Sequence, residues 1–138
     1  MTTPELDPRL IEDSYPLQQH LGFEMTAWQP DFARIEVPLT AFLMNRQGLP
    51  HGGVHATLLD SAMGFAGCYT GDPDRRQMAL TLSLTVNYLA QASGNRLIAE
   101  GWRTGGGQKT YFAEGKVSDD AGTIIATATG VFRYRRME

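Results

Sequence analysis

The order of sequence signals predicts an α+β domain: one helix set against an antiparallel sheet. Three observations carry that reading. Residues 78–88 alternate strictly between larger apolar and small or polar side chains, the period of a strand. Gln47–Gly71 spans 25 residues with no Lys, Arg or Glu and a single carboxylate, Asp60, which suits a helix surrounded by protein. The remaining strand signals come in runs joined by turn residues, rather than alternating with helices.

In chain order, residues 4–21 predict an amphipathic helix with Leu6, Leu10, Ile11 and Leu17 as its apolar positions, broken or kinked at Pro16. Strands follow over 23–29 and 33–39, joined at Pro30-Asp31. Residues 41–52 are irregular, with Gly48 and Pro50, and Gly52-Gly53 opens the long helix. Glycine followed by proline in Thr70-Gly71-Asp72-Pro73 is expected to end it. The strand over 78–88 places Met78, Leu80, Leu82, Leu84, Val86 and Tyr88 on an apolar face, with Ala79, Thr81, Ser83, Thr85 and Asn87 opposite. Strands over 96–103, 109–118 and 123–135 complete the set, with turns at Gly105-Gly106-Gly107 and 119–122. One helix covers only part of a six-strand sheet, so a second subunit is expected to share the burial.

Composition limits what such a domain does. The 138 residues suit one domain over 1–138, with 1–21 as an N-terminal helical extension. Hydrophobic residues make up 42% and charged residues 20%, and the formal net charge is −3, which argues against nucleic-acid and anionic-membrane partners. No apolar run reaches the length of a membrane span, and the acidic start lacks a leader pattern. Cys68 is the single cysteine, so no internal disulfide forms; it reads as a small core residue in a cytoplasmic protein.

Chemistry concentrates on the helix and the residues before it. At about 100° per residue, Val54, Leu58, Ala62, Phe65 and Tyr69 share a stripe suited to a sheet. Asp60 lies on another side, near Ala56, Gly64 and Gly67, which leave room for close approach. Its carboxylate either bonds a neighbouring strand or does chemistry. The first N–H groups of a helix starting at Gly52-Gly53 have no intrahelical partners and sit at the positive end of the dipole, a plausible oxyanion hole. Asn45 and His51 stand at the same mouth, where loop-building and helix-capping are their alternative roles. A metal site from His51, His55 and Asp60 is not expected, because His51 precedes the helix and no further ligand cluster completes it. No G-x-S-x-G elbow or phosphate-binding glycine loop is present.

Asn45-x-x-Gly48-x-x-His51-Gly52-Gly53, with Asp60 seven residues after Gly53, resembles the hotdog-fold acyl-CoA thioesterases of the phenylacetate-pathway (PaaI) type, within the 4-hydroxybenzoyl-CoA thioesterase-like superfamily. Residues 81–90 are similar to that family's central strand, and 107–112 to its next hairpin. The resemblance covers residues 20–135. It implies a curved antiparallel sheet wrapped around a long central helix, paired into a dimer, and a dimer of dimers, with sites at the subunit interface. It implies Asp60 as general base or nucleophile, the Gly52 N–H as carbonyl polariser, Asn45 and His51 as orienting groups, and Thr81 as a hydroxyl assisting the water. Asn45, His51 and Gly52 would face Asp60 and Thr81 of the other subunit.

Gly53, Lys109 and Arg103 are the candidate substrate-binding residues. Relatives often carry a base directly after the hairpin glycine, where this chain has Gln108, so Arg46, Arg133, Arg135 and Arg136 join them as phosphate contacts to be tested. The activity expected is hydrolysis of an aromatic or medium-chain acyl-CoA, with no metal or organic cofactor. The alternatives are a non-catalytic acyl-CoA-binding protein and an enoyl-CoA hydratase or dehydratase of the same fold.

Overall fold

The computed structural model describes residues 6–135. Its elements in order are a 3₁₀ turn Pro8–Leu10, helix α1 Pro16–Leu21, strands β1 Glu24–Gln29 and β2 Phe32–Pro38, a 3₁₀ turn Ala41–Leu43, and helix α2 Gly52–Ala66. Strands β3 Met78–Tyr88, β4 Arg96–Gly106, β5 Thr110–Asp119 and β6 Ile124–Arg135 follow. The strands form one antiparallel sheet in the order β1-β2-β4-β5-β6-β3, and α2 packs across one face of it. The fold is therefore α+β as the sequence predicts, and all six strands lie where the periodicity places them, within a few residues.

The sheet can close around the helix because glycine lines the contact. A Cβ on Gly101 of β4 would stand 2.6 Å from the backbone of Ala62 and Met63, so only glycine lets strand and helix backbones approach this closely. The core sits between them, filled by Leu58, Leu59, Met63, Ile35, Val37, Leu97, Tyr111, Val117, Ile125 and Phe132.

Four expectations need correction. The N-terminal segment is not one helix. Pro8 and Pro16 lack the N–H that a continuous helix requires, and each instead starts its own short turn of helix. Of the expected apolar positions only Leu10 is buried; Ile11 and Leu17 face outward. Residues 4 and 5 of that expectation lie outside the described residues.

The second correction is that α2 ends at Ala66, before the glycine-proline signal. Tyrosines from the sheet end it. The Tyr111 hydroxyl donates to the carbonyls of Met63 and Gly64, and the Tyr134 hydroxyl donates to that of Gly67, satisfying carbonyls a longer helix would use. Tyr69 is thus off the helix.

Third, α2 is not buried on nearly every side. Val54, His55, Leu58, Leu59, Ala62, Met63 and Ala66 face the sheet, while Ala56, Thr57, Asp60, Ser61 and Gly64 form a half-exposed face.

Fourth, β3 does not keep one apolar face. A bulge between Thr81 and Ser83 leaves Leu82 outside the pairing with β6 and reverses the alternation. Ala79 packs on the core before the bulge, and Leu84 and Val86 pack on it afterwards. Leu80 and Leu82 are turned outward, each 57% exposed. β3 is also a sheet edge, so an apolar, eleven-residue edge strand stands without a partner on its outer side among the described residues.

Candidate active site

The bulge that turns Leu80 outward puts Thr81 on the helix side of β3. There its hydroxyl donates to Asp60 Oδ1 at 2.6 Å. The lone acid of α2 therefore has a partner, supplied by the strand beside it. Asp60 is half-exposed in the single chain rather than buried. A hydroxyl that spends its proton on a carboxylate keeps its lone pairs free to accept from a water. The pair can thus hold a water molecule and take a proton from it.

At the other end of α2, His51 is the N-cap, and its Nδ1 accepts the Gly53 N–H at 2.8 Å. This occupies the donor of Gly53 and places the proton of the neutral imidazole on Nε2, which points away as a donor. The Val54 N–H bonds the His51 carbonyl. Among the described residues the Gly52 N–H has no backbone or side-chain acceptor, so it is the free donor of this helix start. The Tyr88 hydroxyl donates to the Gly52 carbonyl at 2.6 Å and braces the turn from β3.

Asn45 builds the approach to that helix. Its Oδ1 accepts from the N–H groups of Gln47 and Leu49, while its own N–H donates to the Leu49 carbonyl, closing a tight loop through Gly48 at φ 78°. The loop role is thus present; the Nδ2 donors remain for a ligand. His55 is buried against Tyr88, and burial, with a smaller contribution from His51, lowers its pKa. Among the described residues no three His, Cys, Asp or Glu side chains gather as a metal would require.

Asp60 lies eight residues after Gly52. At 1.5 Å rise per residue they stand about 12 Å apart along α2, too far to act on one carbonyl group. Within one chain the free helix-start donor and the carboxylate therefore stand at separate places on α2.

One hollow adjoins the carboxylate and a second lies beyond it. A cavity of about 200 Å³ opens beside Asp60 and Thr81, walled by Tyr15, Trp28, Phe65, Met78 and Phe132 with Gly64 in its floor. Cys68 lines it too; burial pushes this thiol up to about 11, so it stays protonated, as the core reading expects. Beyond Gln77 lies an open cleft of about 950 Å³ lined by Arg75, Arg76, Lys109, Arg133 and Arg135. Lys109 is thus brought among other cations. Arg103 is not: its guanidinium turns back to donate to the Gly107 carbonyl and lies 6.0 Å from the Tyr111 ring centre. Arg136 lies outside the described residues. Tyr15, Trp28 and Tyr88 were not singled out from sequence; their roles depend on how distant segments meet.

The comparisons with known proteins agree with this architecture. The family described as the Thioesterase superfamily matches residues 47–126, which include His51, Gly52, Asp60 and Thr81 but not Asn45. Over 130 residues the chain is 26% identical to the medium/long-chain acyl-CoA thioesterase YigI of Salmonella typhimurium, covering 85% of this chain and 84% of that protein. Among solved structures, the BH2602 protein of Bacillus halodurans with CoA superimposes with a TM-score of 0.76 at 28% identity, covering 91% of this chain and 82% of that one. The Escherichia coli PaaI protein of the phenylacetic acid degradation operon superimposes at 0.75, with 18% identity over 87% and 84% of the two chains, a likeness of fold.

Proposed function

The chain belongs to the Thioesterase superfamily, and from that membership we propose that it is a cytoplasmic acyl-CoA thioesterase, built as a homodimer with composite sites and needing no metal or organic cofactor. The observation that carries the reading is the 2.6 Å hydrogen bond from Thr81 to Asp60, on a helix whose own start offers a free N–H about 12 Å away.

The unpartnered edge β3, with Leu80, Leu82, Tyr88 and Leu89 exposed, supports pairing with a second copy. Such pairing would set Asp60 and Thr81 of one protomer against Asn45, His51 and Gly52 of the other. The thioester carbonyl would then accept from the Gly52 N–H of one protomer while a water sits on Asp60 and Thr81 of its partner. Asp60 takes a proton as the water oxygen bonds the carbonyl carbon, and the oxyanion is held at Gly52. Collapse breaks the carbon–sulfur bond. The departing CoA thiolate takes the proton back from Asp60, leaving a free acid and CoA. His51 Nε2–H and Asn45 Nδ2 are the remaining donors for orienting the substrate, and the cleft around Lys109, Arg75, Arg133 and Arg135 is the candidate seat of the CoA phosphates.

The test is release of CoA thiol from a panel of acyl-CoAs by wild type and Asp60→Asn. The expected loss is about 10²–10⁴-fold in kcat. A variant that keeps near wild-type rates overturns the assignment of Asp60. Binding of acyl-CoA without turnover by the wild type would favour the non-catalytic alternative, and hydration of an enoyl-CoA, followed by absorbance, would favour the hydratase.

A further inference from the structure

The cavity beside Asp60 does not end in core packing. Next to it lies a second hollow of about 240 Å³, lined by Ile11, Phe23, Met25 and Ile35 together with the polar Asp13, Gln18 and Glu24, and Tyr15, Trp28 and Phe65 form the wall common to the two. Both chambers are bordered by Glu12 and by the segment before α1, so residues of the N-terminal extension line the same chamber as the candidate catalytic carboxylate.

The three wall residues are not held alike. Trp28 is fixed, since its Nε1–H donates to the Phe65 carbonyl at 2.8 Å and its ring packs edge-on against Phe65 and Tyr69. Phe65 is held by its place in α2 and by that same ring contact. Tyr15 has only an edge contact with Phe23, at 6.0 Å between ring centres, and a hydroxyl 3.5 Å from Ser61 Oγ, at the outer limit of a hydrogen bond. It is 37% exposed and stands at the N-cap of a six-residue helix. Of the three, it is the one free to turn.

We propose that the first chamber holds an uncharged acyl group and that Tyr15 is its end-stop, setting the chain length the enzyme accepts. This rests on the thioesterase reading. The lining combines aromatic and aliphatic surface with the carboxylates of Glu12 and Asp60 and no cation, which suits an uncharged tail or ring and disfavours an acyl group carrying its own negative charge. A medium chain or a ring fills the first chamber, and a longer chain enters the second only when Tyr15 swings aside. Gly64 sets the other limit. A Cβ there would meet only Phe132, at 3.8 Å, so the space above it belongs to the chamber and a larger side chain would grow into it.

The experiment compares kcat/KM for straight-chain acyl-CoAs from butanoyl to hexadecanoyl in wild type, Tyr15→Ala and Gly64→Val. Tyr15→Ala is expected to raise the hexadecanoyl-to-octanoyl ratio by about tenfold or more, and Gly64→Val to lower the octanoyl-to-butanoyl ratio by a similar factor. Unchanged ratios in both variants overturn the proposal. A binding measurement separates it from the activity. The chain has two tryptophans, so Trp102→Phe leaves Trp28 as the sole reporter. Decanoate is expected to quench it, and to fail to do so when Gly64→Val is added. If the wild type releases no CoA, the thioesterase reading falls while the quench still decides the chamber: its absence from the Trp28 reporter overturns the proposal.

Discussion

At the scale of single residues, the Gly52 N–H carries the sharpest consequence. It is the one donor of the helix start that neither the cap nor the helix occupies, because His51 takes the N–H of Gly53 and the His51 carbonyl takes that of Val54. Proline is well suited to the first position of a helix, where its missing N–H would have no helical partner. His51 already has the extended backbone, φ −67° and ψ 133°, that a residue before proline prefers. A Cβ at Gly52 would stand 3.4 Å from the Tyr88 ring, an ordinary contact. Gly52→Pro therefore removes one hydrogen-bond donor with little other change. If that donor polarises the thioester, kcat should fall by about 10²–10³-fold while the thermal midpoint stays close to wild type. Steady-state kinetics beside a melting curve checks both, and full activity in the folded variant would remove Gly52 from the mechanism.

At the scale of elements, the turns hold the sheet in register through one acid that composition did not distinguish. Asp119, at the end of β5, is buried. Its Oδ2 accepts the N–H groups of Ser93 and Gly94, and its Oδ1 those of Ala121 and Thr123, so one carboxylate joins the β5–β6 hairpin to the loop before β4. Burial alone would raise this carboxyl, but the backbone donors outweigh it and hold it down to about 2. Its folded pKa lies below the unfolded value, so its stabilisation is complete above about pH 5 and is lost as pH falls through 4 toward 2. Asp119→Asn points an amide donor at backbone donors and should cost about 2–3 kcal/mol at neutral pH. Urea unfolding at pH 7 and pH 3 should show the gap between variant and wild type narrowing in acid; an equal gap at both would mean the charge is not what binds the loop.

The same scale explains what was legible in the sequence. Strands and the start of α2 were readable because each follows from local periodicity or from Gly52-Gly53. The bulge at Leu82 was not, for no glycine or proline marks it, and an unbroken alternation looks the same with or without it. Yet that bulge decides that Thr81 meets Asp60. The early end of α2 was equally hidden, since tyrosines 45 or more residues away supply its caps. Asp60, Gly52, His51 and Asn45 were legible as a cluster of residue types, whereas Tyr15 and Tyr88 gain their roles from tertiary contacts with no local signature.

At the scale of the whole molecule, the division of the site between two ends of α2 has a consequence that no single-chain property imitates. If Gly52 of one protomer serves Asp60 of the other, a chain lacking the donor and a chain lacking the carboxylate can repair each other. Gly52→Pro and Asp60→Asn are each expected to be nearly inactive alone. In a mixed dimer one site combines both lesions, while the other unites the intact Gly52 of one chain with the intact Asp60 of its partner. Equal amounts, unfolded together and refolded, pair at random, so half the dimers are mixed and half of their sites are whole. Activity should return to roughly a quarter of wild type. A site contained in one chain gives no recovery, because every chain in the mixture carries a lesion. The measurement is the rate of CoA release before and after co-refolding, with each variant refolded alone as the control. Recovery near a quarter would also require a lasting dimer to hold the two halves at one thioester, and the exposed apolar edge of β3 is a surface suited to form it.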